Sequence, residues 1–488
     1  MDVDRIAEVF KDQVLFITGA TGFMGKVFLE RLLRVTEVRK IFILIRPKRN
    51  KNSEERLIEL FANPLFDQLK SIKSMSEILE KVIVIAGDCS YKDLNISPAD
   101  RAAIVSQVSM IYHFAATVKF NEKFKCAIEL NVRGTREMVK IAFDCSKLKV
   151  FCHLSTAFCH LKEKFLLNQF YEVSADPHEI IDIVEKFDED EVGKMLSEYL
   201  CDTIPNTYVF TKGLSEAIIA KAQEKYKLPM MIARPAIILP IYKDPLPGWT
   251  DNLYNITGAL AAGGLGVCRS FLCDKDDVVN ITCVDYATGN VMTSVWHYLQ
   301  EKPKSLYVIN LEYLKCSLID DFQKAIKARQ EIPSDFVFWY PNVHFTDNVF
   351  IHFFNLIFFQ WLPSLFIDFI LILLGKKPMF INIQKKMFNE LKIVKIFIKD
   401  NWTFDQTKIV EIYKLLNKRE LESYGTESRN SEQYHRNISL GLRRFILKQK
   451  DENIGRAQMT LKIIFIIDRL VKGAFFYWII KKLWSIFW

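Results

Sequence analysis

The run Val14-Leu-Phe-Ile-Thr-Gly-Ala-Thr-Gly-Phe-Met-Gly-Lys constrains this chain more than any other stretch. An apolar strand over 14–17 feeds a loop carrying Gly19, Gly22 and Gly25, and the loop opens a helix over 26–33. Strand, glycine loop and helix in that order form the first βα turn of a doubly wound dinucleotide-binding sheet. Glycine lets the backbone turn sharply and come close to a pyrophosphate, and the helix N-terminus offers N–H donors and a positive dipole end. The spacing is G-x-x-G-x-x-G rather than G-x-G-x-x-G.

Short apolar runs bounded by turn signals continue the alternation at 40–45, 82–86, 110–114, 150–154 and 229–233. Such runs are what parallel strands covered on both faces require. The expected fold is therefore α/β, a doubly wound parallel Rossmann sheet with a substrate-binding extension and a mainly helical, membrane-associating C-terminal region. A nucleotide-binding domain is placed at 1–335, with substrate-pocket segments at about 160–205 and 240–335. The acidic stretch within 170–205 reads as a solvated helical insertion or, alternatively, a lid. Residues 240–275 are rich in Pro and Gly and read as loop. A second domain follows at 336–460, and a tail at 461–488.

Half of the 488 residues are apolar, 38 of them Phe. The net charge of +8 comes from 66 basic residues against 58 acidic ones, a mild bias that gives no reason to expect a nucleic-acid partner. The ten cysteines form no C-x-x-C pair, so reduced thiols facing the cytosol are expected and no metal site is assigned, including at His153, Cys159 and His160. The charged N-terminus is not expected to act as a signal peptide.

Two C-terminal stretches stand out. Residues 349–374 are strongly apolar and long enough to cross about 30 Å of hydrocarbon, but they hold Pro363 and Asp368. A buried acid at mid-bilayer costs roughly 2.5–3.5 kcal/mol, which leaves a tilted span, a re-entrant hairpin and a buried core hairpin open. In the tail, Phe475, Phe476, Tyr477, Trp478, Trp484 and Trp488 suit a membrane-interface helix, with packing on the domain or on a homodimer partner as the alternative.

The residues that carry chemistry follow the strands. After the second strand, Arg46-Pro-Lys48-Arg49 offers cations and no acid, which suits the 2′-phosphate of NADPH. Asp88, after the third strand, is placed to accept from the adenine amino group. Ala115, after the fourth, allows close backbone passage beside the cofactor. Tyr208-Val-Phe-Thr-Lys212 puts both end side chains on one helix face, where the lysine charge is expected to lower a phenol pKa otherwise near about 10. Such a tyrosine donates a proton to a nascent alkoxide. A hydroxyl partner stands at the end of the fifth strand, where Thr156 is preferred for reach and Ser155 is expected to be structural.

Together these residues resemble the extended short-chain dehydrogenase/reductase superfamily and, more closely, the fatty acyl-CoA reductases. The resemblance rests on Thr18-Gly-Ala-Thr21-Gly-Phe23-Met24-Gly-Lys, Ile45-Arg-Pro-Lys, Ala86-Gly-Asp, His113-Phe-Ala-Ala-Thr-Val-Lys-Phe, Asn131-Val-Arg-Gly-Thr and His153-Leu-Ser-Thr-Ala-Phe-Cys. It continues through Tyr208-Val-Phe-Thr-Lys, Ala233-Arg-Pro, Pro247-Gly-Trp-x-Asp-Asn, Val284-Asp and Asn401-Trp-Thr-Phe-Asp, and so covers nearly the whole chain. It implies NADPH-dependent reduction of a long-chain acyl-CoA to a primary alcohol in two hydride steps, with the glycine-loop residues Thr18 to Gly25 at the cofactor and an assisting role for Asn131. Phe158 stands where that family often has Tyr. A lipid-facing enzyme is expected at the endoplasmic reticulum with its catalytic domain in the cytosol, the peroxisome being the alternative. Two other readings fit parts of the pattern, a membrane-associated hydroxysteroid dehydrogenase/isomerase and an inactive cofactor-binding scaffold.

Overall fold

The computed structural model describes residues 3–48, 50–398, 401–425 and 430–487, so Arg49 and Trp488 lie outside the described residues. The chain divides into two compact units. The first comprises 1–238, 280–314 and 402–428, and the second 239–279, 315–401 and 429–488. The continuous division at 335 expected from sequence is replaced by an interleaved one, because strand and helix segments far along the chain return to the first unit.

A seven-stranded sheet organises the first unit. Its strands are β1 (Val14–Thr18), β2 (Lys40–Ile45), β3 (Val82–Ala86), β4 (Met110–His113), β5 (Val150–Leu154), β6 (Met230–Arg234) and β7 (Tyr307–Asn310). They run in the order β3-β2-β1-β4-β5-β6-β7, and every pairing is parallel. The order reverses between β1 and β4, the crevice where ligands bind in such sheets. β1, β5 and β6 are buried along their whole length, which explains their unbroken apolar runs. β7 was not anticipated, since Tyr307-Val-Ile-Asn is only four residues long and follows a long insertion.

Helix α1 (Phe23–Val35) leaves the glycine loop and buries Val27, Phe28, Leu29 and Leu32. Helix α2 (Thr207–Tyr226) starts from Asn206, whose side chain accepts from the Val209 N–H. The acidic segment 170–205 forms helices Pro177–Lys186 and Glu189–Leu196. Their Ile180, Ile181, Val184, Val192 and Leu196 enter the sheet core, so the segment is packed rather than merely solvated. Thr403–Phe404, far along the chain, pairs with Phe165–Leu166, and Phe158 packs edge-on against Phe404.

In the second unit the stretch expected to be loop contains helix α3 (Asn255–Gly264). Its glycines serve close packing: a Cβ on Gly258 would stand 2.2 Å from the Leu253 carbonyl oxygen, and one on Gly264 would stand 2.5 Å from the Arg329 side chain. Helix α4 (Val349–Leu373) is 25 residues long, mostly exposed, and apolar enough to cross a membrane by length and composition. A π-helical turn at Ile357–Trp361 lies within it, directly before Pro363. Helix α5 (Phe380–Ile398) follows, and the chain closes on the 34-residue helix α6 (Ile454–Phe487).

Candidate active site

At the cofactor end, Gly19 adopts φ +75°, and a Cβ there would lie 2.6 Å from the Ala115 nitrogen. Only glycine combines that φ with that approach. Gly22 caps α1 without any side-chain partner, which leaves the first N–H groups of a 13-residue helix open to phosphate oxygens. A Cβ on Gly22 would meet the Gly19 carbonyl oxygen at 3.1 Å, so the absence of a side chain keeps this backbone open to a pyrophosphate. Thr21 and Phe23 are half-buried here, while Met24 and Gly25 turn inward. Thr18 points the other way: its hydroxyl bonds His113 Nδ1 at 2.7 Å and accepts from the Ala115 N–H at 3.3 Å, tying β1 to β4.

Arg46 is exposed at the end of β2, with its guanidinium 3.8 Å from Asp88. Asp88 also accepts from the Ser90 N–H and hydroxyl, both at 2.9 Å, so this carboxylate organises its own turn as well as facing Arg46. Arg56 was missed from sequence. It lies in helix Ser53–Phe61, donates to the Arg46 carbonyl, and its pKa is pulled down by burial and then by Arg46. Arg46, Lys48 and Arg56 thus supply cationic charge beyond β2.

The reaction end is assembled by α2 and the turn after β5. The Thr156 hydroxyl lies near that of Tyr208, and Phe120 stands edge-on to the Tyr208 ring at 5.6 Å. Ser155 turns away and donates to the Cys159 sulfur at 3.7 Å. Lys212 is buried and donates to the Leu154 carbonyl at 2.6 Å. The expected depression of the phenol pKa is not found. Burial pushes Tyr208 up, and so does Cys159, while the Thr156 hydroxyl only partly opposes them. A neutral phenol is the form that donates a proton. The lysine shifts as well, pulled down to about 8 by burial, with Cys159 and Glu216 opposing.

Asn131 sits in a π-helical turn, Ile128–Arg133, a local widening common at functional sites. Its side chain accepts from the Thr117 N–H at 2.8 Å and donates to the Thr211 hydroxyl at 2.9 Å; its carbonyl accepts from Ser215 at 2.9 Å. Asn131 therefore clamps the loop after β4 to α2.

Sequence reasoning gave no role to Glu216, to Arg234 or to His160, which it weighed only as a metal ligand. The signal was present, because Glu216 extends the Tyr208, Lys212 spacing by one more turn. Cys159, His160 and Glu216 bring three ligand-type atoms within 4.8 Å of one another, yet both Glu216 oxygens are taken by Arg234.

Residues 17–291 match the NAD-binding model of the male sterility protein family, and residues 359–449 match a second model of the same description. The chain is 32% identical to fatty acyl-CoA reductase wat of Drosophila melanogaster over 91% of this chain and 86% of that protein. It is 29% identical to fatty acyl-CoA reductase 2 of Bos taurus, covering 97% and 92% of the two chains. The chain belongs to the fatty acyl-CoA reductase family.

The NAD-binding model supports a nicotinamide cofactor, and the relatives support fatty acyl-CoA reduction. Solved structures agree on the fold. The reductase domain of a non-ribosomal peptide synthetase from Mycobacterium tuberculosis superposes with a TM-score of 0.58 at 17% identity, covering 92% of this chain and 97% of that one. The terminal R domain of the myxalamid biosynthetic pathway gives 0.57 at 18% identity, covering 90% and 93%.

Proposed function

We propose that this fatty acyl-CoA reductase is alcohol-forming, takes long-chain acyl-CoA and uses NADPH. The observation that carries the reading is the convergence of Thr156, Tyr208 and Lys212 at the β5 end of the sheet. When bound, the reduced nicotinamide supplies hydride to the thioester carbonyl, and CoA leaves as thiolate. The Tyr208 and Thr156 hydroxyls hold the carbonyl oxygen as it gains negative charge. In a second turn at the resulting aldehyde, Tyr208 hands its proton to the alkoxide oxygen, and Lys212 with the ribose hydroxyls restores it. Two NADPH and two protons are consumed for each alcohol and CoA released. No cysteine is required.

NADPH in preference to NADH is supported by Arg46, Lys48 and Arg56, which place positive charge where a 2′-phosphate would lie. Membrane attachment is supported by the outward faces of α4 and α6, where Phe350, Phe366, Leu373, Leu470, Tyr477, Trp478 and Trp484 are exposed. Asp368 is no obstacle, because its carboxylate turns inward and accepts the N–H groups of Met379, Phe380 and Ile381 at 2.8–2.9 Å. An attachment lying in the interface fits this arrangement, with the endoplasmic reticulum as the proposed address and the cytosol as the side of the catalytic unit.

The test is Tyr208→Phe in detergent-solubilised full chain. Turnover of palmitoyl-CoA should fall by about 10²–10⁴, the range for a positioned proton donor, while NADPH still binds by fluorescence titration. A variant with native turnover would remove Tyr208 from the reaction.

A further inference from the structure

Tyr208, Lys212 and Glu216 recur every four residues on α2, so a carboxylate stands one turn beyond the lysine on the same face. Glu216 is fully buried. Arg234, from the end of β6, spans both its oxygens at 2.8 and 2.6 Å, and its guanidinium lies over the Tyr171 ring at 5.8 Å. His160, from the turn after β5, bonds the same carboxylate at 2.9 Å, and the Cys159 thiol donates to it at 3.2 Å. The Cys159 sulfur in turn accepts from Ser155, the neighbour of Thr156, and the Cys159 N–H donates to the Thr156 carbonyl at 3.4 Å. Apolar side chains would hold the same backbone at a lower desolvation cost, so this buried charge needs a reason.

Resting on the reading of Thr156, Tyr208 and Lys212 as the reduction centre, we propose that Glu216, braced by Arg234 and His160, is a positioning residue. It keeps Lys212 charged, and through Cys159 it fixes the turn that presents Thr156.

The surroundings of Lys212 support this assignment. Tyr208 and Glu216 face it from its own helix, the Leu154 carbonyl and His153 from β5, His113 from β4, and Cys159 from the turn. Both histidines are driven neutral, by burial first and by the Lys212 charge second. Neither ring nitrogen of His153 has a hydrogen-bond partner among the described residues. Cys159 and Glu216 are the two groups that offset the burial of the lysine charge, and Glu216 is the carboxylate of the pair. Below its titration near pH 8 Lys212 carries its proton, and above it the proton-return step loses its cation. Removing the Glu216 charge disfavours the ammonium, so the alkaline limb must move to lower pH.

The experiment compares native full-length protein in detergent with Glu216→Gln, Glu216→Asp, and the double variant Glu216→Gln with Arg234→Gln, which leaves no lone guanidinium buried. For each, kcat with palmitoyl-CoA and the Kd for NADPH are measured between pH 6 and 9.5. In Glu216→Gln the alkaline limb should move down by about one to two pH units, the scale for one charge at helical i, i+4 separation in a medium of intermediate dielectric, and in the double variant, where the opposing guanidinium charge leaves with the carboxylate, it should move down by less. Glu216→Asp should return most of that shift. Folded variants whose limbs stay at the native pH, or a loss of activity equal at every pH, would overturn the proposal. If native protein oxidises no NADPH with acyl-CoA, the reaction reading fails instead. The pH midpoint of NADPH affinity then decides on Glu216 alone: a downward shift in the variants supports it, and an unchanged midpoint overturns it.

Discussion

Glu216 in the first unit and Asp468 in the second are both buried carboxylates paired with a buried arginine, Arg234 at 2.6 Å and Arg269 at 3.1 Å. Their settings differ. Glu216 stands beneath Thr156 and Lys212, where its charge reaches groups that exchange protons. Asp468 sits midway along α6 and gathers Arg269, the Trp339 indole N–H at 2.5 Å and Lys472 at 2.8 Å. There it fixes the rotation of a long apolar helix, so that Leu470, Tyr477 and Trp478 face outward while Phe475 packs on Phe354, Phe358 and Phe359. Asp368 does the same for α4 by capping α5. One kind of interaction thus tunes chemistry in one unit and sets shape in the other. Both pay desolvation, and what differs is whether a titrating neighbour lies within reach.

The comparison breaks most visibly at Asp468. Asp468→Ala leaves Arg269 buried without its carboxylate, and the second unit should lose about 3–5 kcal/mol of stability, read from denaturant unfolding of detergent-solubilised protein. NADPH affinity of the folded variant should stay native, since Asp468 belongs to the unit without the cofactor loop. A change in cofactor affinity at unchanged stability would reverse the roles assigned to the two pairs. A smaller effect is expected at Arg46. Charge reversal in Arg46→Glu should weaken NADPH binding by about 10–100-fold, in line with about 1.5–3 kcal/mol for a charged hydrogen bond. NADH affinity should hold or improve. Equal weakening of both cofactors would show that Arg46 supports the loop rather than the 2′-phosphate.

The first unit was far more legible in the sequence than the second, for physical reasons. A strand buried on both faces has to be an apolar run, and a pyrophosphate turn has to place glycine at set points, so β1 to β6 and Gly19, Gly22 and Gly25 announce themselves. Tyr208 and Lys212 were visible because a helix repeats its face every four residues. The same rule pointed at Glu216, but its partners come from the ends of β5 and β6, far off in sequence, and spacing within one helix cannot name them. The phenol pKa was misjudged because sequence shows that a lysine is near but not how deeply both groups are buried. In the second unit, glycine composition suggested loop where α3 uses glycine for close helix packing. Asp368 looked like a charge exposed to lipid because capping partners eleven to thirteen residues away leave no local pattern.

In the proposed reaction an acyl-CoA passes through two reductions at one Tyr208–Thr156–Lys212 centre. The most direct measurement is NADPH consumed per product formed, with palmitoyl-CoA and detergent-solubilised full chain, products resolved by gas chromatography. Two NADPH per hexadecanol, with aldehyde below detection, is the predicted result. One NADPH per accumulating aldehyde would contradict the two-step account. No consumption at any acyl length would leave a cofactor-binding scaffold.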